Sequence, residues 1–132
     1  MLKPLKKIYL AGGFRSGWQE LVKLRLQSFE LLDPSLHYIE EPLSYTNWDL
    51  DAIHRSEILL ANMEATNPGG YALALEIGFA KALGKSIYLV DQIEDPSVSH
   101  YFEMVRQCSN RVFKSLDEAI EYIALFECNQ TH

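Results

Sequence analysis

The chain has 132 residues, of which 48% are hydrophobic and 23% charged, the make-up of an ordinary globular domain with a single core. The net charge of −6 argues against a nucleic-acid binder, which needs a basic footprint, although a local pocket can still hold a free nucleoside or nucleotide. No apolar run is long enough to span a bilayer, and Ile8–Ala11 is too short for a signal-peptide core, so a cytoplasmic location is expected. Cys108 and Cys128 form no metal motif or disulfide framework. His37, His54, His100 and His132 are scattered, which suits surface roles better than metal ligation. No metal or cofactor is implied.

Short β-like runs alternate with helical ones. Lys7–Ala11 reads as a buried strand ending at Gly12-Gly13. Trp18–Leu32 carries apolar residues at helical spacing and is stopped by Asp33-Pro34, so a helix is predicted there, with a short second strand over Leu36–Ile39. Glu40–Trp48 reads as a loop, Asp49–Arg55 as a short helix and Ile58–Asn62 as the third strand. Met63–Gly70 contains Asn-Pro-Gly-Gly, a turn signal. Tyr71–Leu83 is predicted helical, closed by Gly84 at C′. Ser86–Val90 is the fourth strand, Val98–Gln107 a helix and Arg111–Phe113 the fifth strand. A last helix reaches about Phe126, with Ser115 and Glu118 at capping-box spacing. This alternation predicts one α/β domain spanning the chain: a flavodoxin-like, Rossmann-like three-layer sandwich with a five-stranded parallel sheet ordered 2-1-3-4-5. Ligands in such sheets bind where strand order reverses, here between the loops after strands 1 and 3.

Glu76 stands out in that frame. The other charge between Tyr71 and Leu83 is Lys81, about 140° away around a helix, so the two do not share one solvated face. Glu76 is either an exposed helix glutamate or a carboxylate held in a pocket, where burial would raise its pKa. Gly78, costly in mid-helix, suggests close approach of another group. Gly12-Gly13-Phe14-Arg15-Ser16-Gly17 is either a tight strand-to-helix turn or a backbone cradle for an anion or sugar, with Arg15 and Ser16 able to hold a phosphate. It has neither Walker nor dinucleotide-fingerprint spacing. Asp49 and Asp51 follow an aromatic loop with Tyr45 and Trp48. One of them could cap the helix, and one could contact a nucleobase. Tyr9, mid-strand, reads as a packed core tyrosine.

These segments together resemble the nucleoside 2-deoxyribosyltransferase family. The likeness is carried by Ile8-Tyr9-Leu10-Ala11-Gly12, by Asp49…Ile53…Ser56-Glu57-Ile58-Leu59-Leu60-Ala61-Asn62, and by Glu76-Ile77-Gly78-Phe79-Ala80-x-Ala82-x-Gly84-Lys85. The resemblance implies that Glu76 is the nucleophile that attacks C1′ of a deoxyribose and forms a covalent deoxyribosyl-enzyme. It implies that Tyr9 orients that glutamate and that Asp49, with Asp51 the alternative, binds or protonates the departing base. Gly12, Gly13, Phe14, Arg15, Ser16, Trp48, Asn62 and Gly70 are the expected substrate contacts. A neighbouring subunit of a homodimer or larger homo-oligomer would complete the site through Asn110, with Ser109 and Arg111 as alternatives. Many transferases carry an aspartate six residues before the nucleophile, where this chain has Gly70. The first loop is similar to that of the related 2′-deoxynucleoside 5′-monophosphate N-hydrolases, in which an arginine at the Arg15 position helps bind the phosphate. Those enzymes often have a serine at the Gly70 position. Pro68-Gly69-Gly70-Tyr71 before Glu76 also resembles part of the cytokinin-activating phosphoribohydrolase motif. The expected partner is a small nucleoside or nucleotide, not a nucleic acid or a membrane. Transfer to a second base, hydrolysis of a monophosphate, and a non-catalytic nucleotide-binding module are the readings carried forward.

Overall fold

The computed structural model describes residues 4–66 and 70–128. Strands β1 (Lys7–Gly12), β2 (Glu30–Leu32), β3 (Ile58–Met63), β4 (Ser86–Asp91) and β5 (Arg111–Phe113) form one sheet in the order β2-β1-β3-β4-β5, with every pair parallel. The predicted order is the observed one. Alternation along each strand sorts side chains into two cores. Ile8, Leu10, Ile58 and Leu60 face α1 (Trp18–Arg25) and α6 (Leu116–Phe126). Tyr9, Ala11, Leu59, Ala61 and Met63 face the other layer, α2 (Pro42–Arg55) and α3 (Gly70–Ala82), with partly buried side chains of α5 (Glu103–Cys108) packed against it. Strands buried on both faces explain the continuous apolar runs.

Three element assignments differ from the sequence reading. The first helix ends at Arg25, and the second strand is Glu30–Leu32, not Leu36–Ile39. Leu31 packs against the α1/α6 side and Leu32 against the α2/α3 side, which is the period of a strand. Asp33-Pro34 therefore terminates a strand, and Pro34–Leu36 is a single 3-10 turn capped by the Asp33 side chain. The second difference is α2, which begins at Pro42, seven residues before Asp49. Glu41 is its N-cap, its carboxylate accepting from the N–H groups of Leu43 and Ser44, so neither Asp49 nor Asp51 caps a helix. Glutamate is not a usual N-cap, and the sequence signal for this start is Pro42 at the first helical position. The predicted Val98–Gln107 helix is broken into α4 (Pro96–Ser99), a 3-10 turn (His100–Phe102) and α5. In the expected turn, Asn67, Pro68 and Gly69 lie outside the described residues. Ser115 accepts from the Glu118 N–H, one half of the capping box.

Gly84 ends α3 as predicted. Its φ of 74° is left-handed, and the bonds Gly84 N–H to Lys81 O (3.1 Å) and Lys85 N–H to Ala80 O (3.0 Å) complete a Schellman motif. Gly78 is the opposite case: an added Cβ would meet nothing within 4 Å, so close approach within the chain does not explain it. Gly84→Ala should lower stability in urea unfolding by about 1 kcal/mol, the cost of a left-handed L-residue. Gly78→Ala should raise stability slightly.

Candidate active site

The reversal of strand order between β1 and β3 opens a crevice at their carboxyl ends. Three side chains from three elements meet there: Tyr9 from β1, Asp49 from α2 and Glu76 from α3, all lining one small cavity of about 80 Å³. Gly12, Phe14, Pro34, Ala72 and Leu73 complete its wall. Tyr9 points into the α2/α3 layer because of its parity on β1, and its side chain is fully buried. Its hydroxyl donates to Glu76 Oε2 at 2.5 Å. Such short O–H···O⁻ bonds are the charge-assisted kind.

Glu76 is only 9% exposed, so it is the pocket carboxylate and not a surface glutamate. Burial pushes its carboxyl up, the Tyr9 hydrogen bond pulls it back, and the nearby Asp49 charge raises it, giving about 7. No cation is paired with it among the described residues. Burial first, then the Glu76 charge, drives the Tyr9 phenol well above its ordinary range, so Tyr9 remains a hydrogen-bond donor. Glu76 Oε1 has no protein partner among the described residues.

Asp49, not Asp51, faces this cavity. Asp51 is exposed and pairs with Arg55 one turn along α2. Asp49 also has a partner the sequence reading assigned to the surface. His37 is half-buried, and its Nε2 lies 3.1 Å from Asp49 Oδ1. The Ile39 N–H donates to His37 Nδ1 at 3.0 Å. An accepting Nδ1 carries no proton, so the proton sits on Nε2 and is donated to Asp49. Trp48 packs edge-on against the same imidazole, ring centroids 4.7 Å apart, and does not line the cavity. Burial raises the Asp49 carboxyl, and the His37 hydrogen bond opposes that. Nothing in the spacing of His37 marked it, because the contact depends on the turn that follows β2.

The other expected contacts divide. Gly12 (φ 146°) must be glycine: a Cβ would lie 2.7 Å from the Asn62 carbonyl oxygen. Gly13 turns its carbonyl to the Trp18 indole and the Gln19 amide, and Phe14, 54% exposed, overhangs the cavity. Arg15 and Ser16 are exposed on the same loop. The structure does not bring Asn62 to the cluster. It follows Leu60 by two on β3, so its side chain belongs to the α1/α6 face, where its buried Oδ1 has no partner among the described residues. Gly70 lines a different, apolar cavity of about 510 Å³ with Met63, Ile93, Val98, Tyr101 and Phe102. A Cβ on Gly70 would sit 2.9 Å from the Phe102 ring, which excludes an aspartate or serine there unless the ring moves. Among the described residues no carboxylate lines this larger space, whereas Asp49 and Glu76 both line the smaller one. Asn110 bonds to both the N–H and the carbonyl of Ile87 in its own chain, so its acceptor is already engaged. Ser109 bonds to Val105 O, and Arg111 lies over the Tyr122 ring.

No protein-family model and no curated protein sequence matches the chain. Solved structures do match. A 2-desoxiribosyltransferase from Leishmania mexicana superposes with a TM-score of 0.73 at 20% identity over 92% of this chain and 98% of that one. The chain shares its fold. A 2-deoxyribosyltransferase from Bacillus psychrosaccharolyticus gives 0.67 at 21% identity, over 88% and 91% of the two chains. A CMP N-glycosidase from Clostridium botulinum gives 0.59 at 21% identity, over 92% and 100%. No helix among the described residues is long and apolar enough to cross a membrane.

The raised Glu76 carboxyl has a consequence for stability. A carboxyl whose folded pKa exceeds its unfolded value stabilises at low pH, and that contribution is lost as pH rises from about 4.5 through about 7. Glu76→Gln removes the buried charge and should therefore raise the unfolding free energy at pH 8, by about 2–3 kcal/mol. At pH 4 the gain should be close to zero. Thermal or urea unfolding at both pH values checks this.

Proposed function

We propose that the protein cleaves the N-glycosidic bond of 2′-deoxynucleosides through a covalent deoxyribosyl-Glu76 intermediate and transfers the sugar to another nucleobase. The observation that carries this reading is the buried Glu76 carboxylate, held by the Tyr9 hydroxyl at 2.5 Å and joined in one cavity by Asp49. Glycosidic cleavage develops positive charge at C1′, which a carboxylate at the sugar face stabilises and then captures. As the Glu76 oxygen bonds to C1′, the C1′–N bond breaks and its electron pair leaves with the base. Asp49 supplies the proton that the departing base requires, and the His37 Nε2–H stabilises the carboxylate left behind. A second base then attacks C1′, releasing Glu76 and returning the proton to Asp49. Tyr9 keeps one Glu76 oxygen fixed, leaving the other for the sugar. The chemistry needs no metal or cofactor. The fold shared with two deoxyribosyltransferases and a CMP N-glycosidase supports the same reaction class. A non-catalytic nucleotide-binding module would have no use for a buried, cation-free carboxylate titrating near 7.

Incubation with deoxyinosine and adenine should yield deoxyadenosine. Glu76→Gln and Asp49→Asn should each lower the rate by at least about 100-fold, the scale of lost nucleophilic or acid catalysis. Failure to release base from any nucleoside or nucleotide would refute the proposal. One observation favours a second reading, a 2′-deoxynucleoside 5′-monophosphate N-hydrolase with water as acceptor. Arg15 is an exposed guanidinium on the first loop and makes no ion pair among the described residues. That reading requires monophosphates to be cut faster than nucleosides, with Arg15→Ala removing the preference.

A homodimer is part of the proposal. The outer face of α3 carries Tyr71, Leu75, Gly78 and Ala82 at helical spacing, and Tyr71 (89%) and Leu75 (62%) are exposed. Tyr101 (81%) and Met104 (79%), from the segment that packs beside α3, are exposed as well. A helix apolar on all sides belongs in an interior, and an exposed apolar patch of this kind marks an interaction surface. Leu75→Arg should convert a dimer to a monomer in light scattering. A wild-type protein that is monomeric at every concentration would contradict the assignment.

A further inference from the structure

Lys23 and Asp33, which anchor the turn between β2 and α2, make no hydrogen bond or ion pair with Tyr9, Asp49 or Glu76 among the described residues. Asp33 closes β2. Its Oδ1 accepts from the Ser35 N–H (2.9 Å) and the Ser35 hydroxyl (2.6 Å), which closes the Pro34–Leu36 turn. Its Oδ2 is buried and accepts no hydrogen bond of good geometry among the described residues, and the charge facing it is the Lys23 ammonium of α1 at 2.9 Å. The Asp33 side chain is 2% exposed, so the carboxylate is withdrawn from water and depends on that cation. Lys23 is shared with Glu20, also at 2.9 Å. A buried ion pair of this sort adds little net stability against an apolar replacement, so what it holds in place matters more.

It holds one wall of the site. Pro34 lines the cavity with Tyr9, Asp49 and Glu76. His37, the residue after the turn, donates to Asp49. Tyr38 then adopts a left-handed backbone (φ 54°), a conformation that L-residues rarely take, and this returns the Ile39 N–H to His37 Nδ1. The segment is thus tied at both ends, by Lys23–Asp33 before His37 and by Ile39 after it.

We propose that Lys23 and Asp33 are positioning residues for the base side of the site, their ion pair holding the Pro34–Leu36 turn so that His37 presents its Nε2–H to Asp49. This rests on the reading of Asp49 as the base-side acid. Neither residue of the pair is catalytic. The charged and titratable groups around Asp49 are His37 from this segment, Glu76 from α3 and Tyr9 from β1. Those around Asp33 are Lys23 with its second partner Glu20, and Tyr9.

The test uses full-length Lys23→Met, Asp33→Asn, Lys23→Arg and Ser35→Ala, read at a temperature where circular dichroism shows each folded. Ser35→Ala is the mild variant, because it severs one bond of the turn and leaves the carboxylate paired. Nitrogen-15 NMR of the His37 ring reads the proton directly. Wild type and Lys23→Arg should carry it on Nε2, with Nδ1 an unprotonated acceptor. Lys23→Met and Asp33→Asn should show the two nitrogens averaging between tautomers, and Ser35→Ala should move the same way by less. In base release, loss of the His37 donor should shift the Asp49-dependent limb of the pH–rate profile upward, because the lost bond favoured the carboxylate. kcat should fall by about tenfold, the scale of a displaced catalytic group, and Lys23→Arg should restore both limb and rate. Folded variants with a wild-type His37 spectrum and pH limb would overturn the proposal, even if they melt earlier. A wild-type protein that releases no base would sink the functional reading instead, while the NMR result would still decide the role of the pair.

Discussion

The hydroxyl of Tyr9 reaching the carboxylate of Glu76 is the contact on which the site depends. It joins strand β1 to helix α3 on the α2/α3 face of the sheet, between a fully buried tyrosine and a glutamate that is almost buried. A carboxylate there is costly to ionise, and the tyrosine is its one hydrogen-bond donor among the described residues. The balance leaves Glu76 titrating near 7. At neutral pH it is divided between an acid that suits the fold and an anion that suits the chemistry. Stability and reactivity therefore pull on the same group in opposite directions, as expected where a buried carboxylate serves a reaction.

Asp49 completes an arrangement of two carboxyls with distinct surroundings. Glu76 is held by a phenol within the apolar layer, whereas Asp49 stands nearer the surface and is held by a neutral imidazole. Environments that differ in this way separate the properties of two acids, and the proposed reaction gives one the sugar and the other the base. The imidazole is placed by backbone: the turn after β2, the left-handed Tyr38 and the returning Ile39 N–H. The Asp49 side of the cavity is therefore built by a connection, and the Glu76 side by the sheet and α3.

That difference explains what was legible in the sequence. The strand order, α3 with its Gly84 terminus and the convergence of Tyr9, Asp49 and Glu76 follow from periodicity, turn chemistry and family resemblance, because regular elements impose them. The β2 region is ambiguous in sequence because Leu26, Phe29 and Leu32 suit a helical stripe as well as a short edge strand. The start of α2 was missed because an unusual cap, Glu41, stands before Pro42. His37 could not be found, since its role arises from irregular backbone. Asn62 was grouped with the site by its place at the end of β3, yet strand alternation turns its side chain to the other face. At Gly70, where many of the transferases that the sequence resembles carry an aspartate, the Phe102 ring lies where a side chain would begin.

In the proposed reaction Glu76 itself carries the sugar. The most direct measurement is intact-protein and peptide mass spectrometry after rapid acid quenching of the enzyme with a deoxynucleoside and no acceptor base. The account predicts a mass increase of one deoxyribosyl group, mapped to the peptide containing Glu76, absent from Glu76→Gln and discharged when adenine is added. An enzyme that releases base at full rate with no sugar on Glu76 at any quench time, and that keeps its activity as Glu76→Gln, would contradict it.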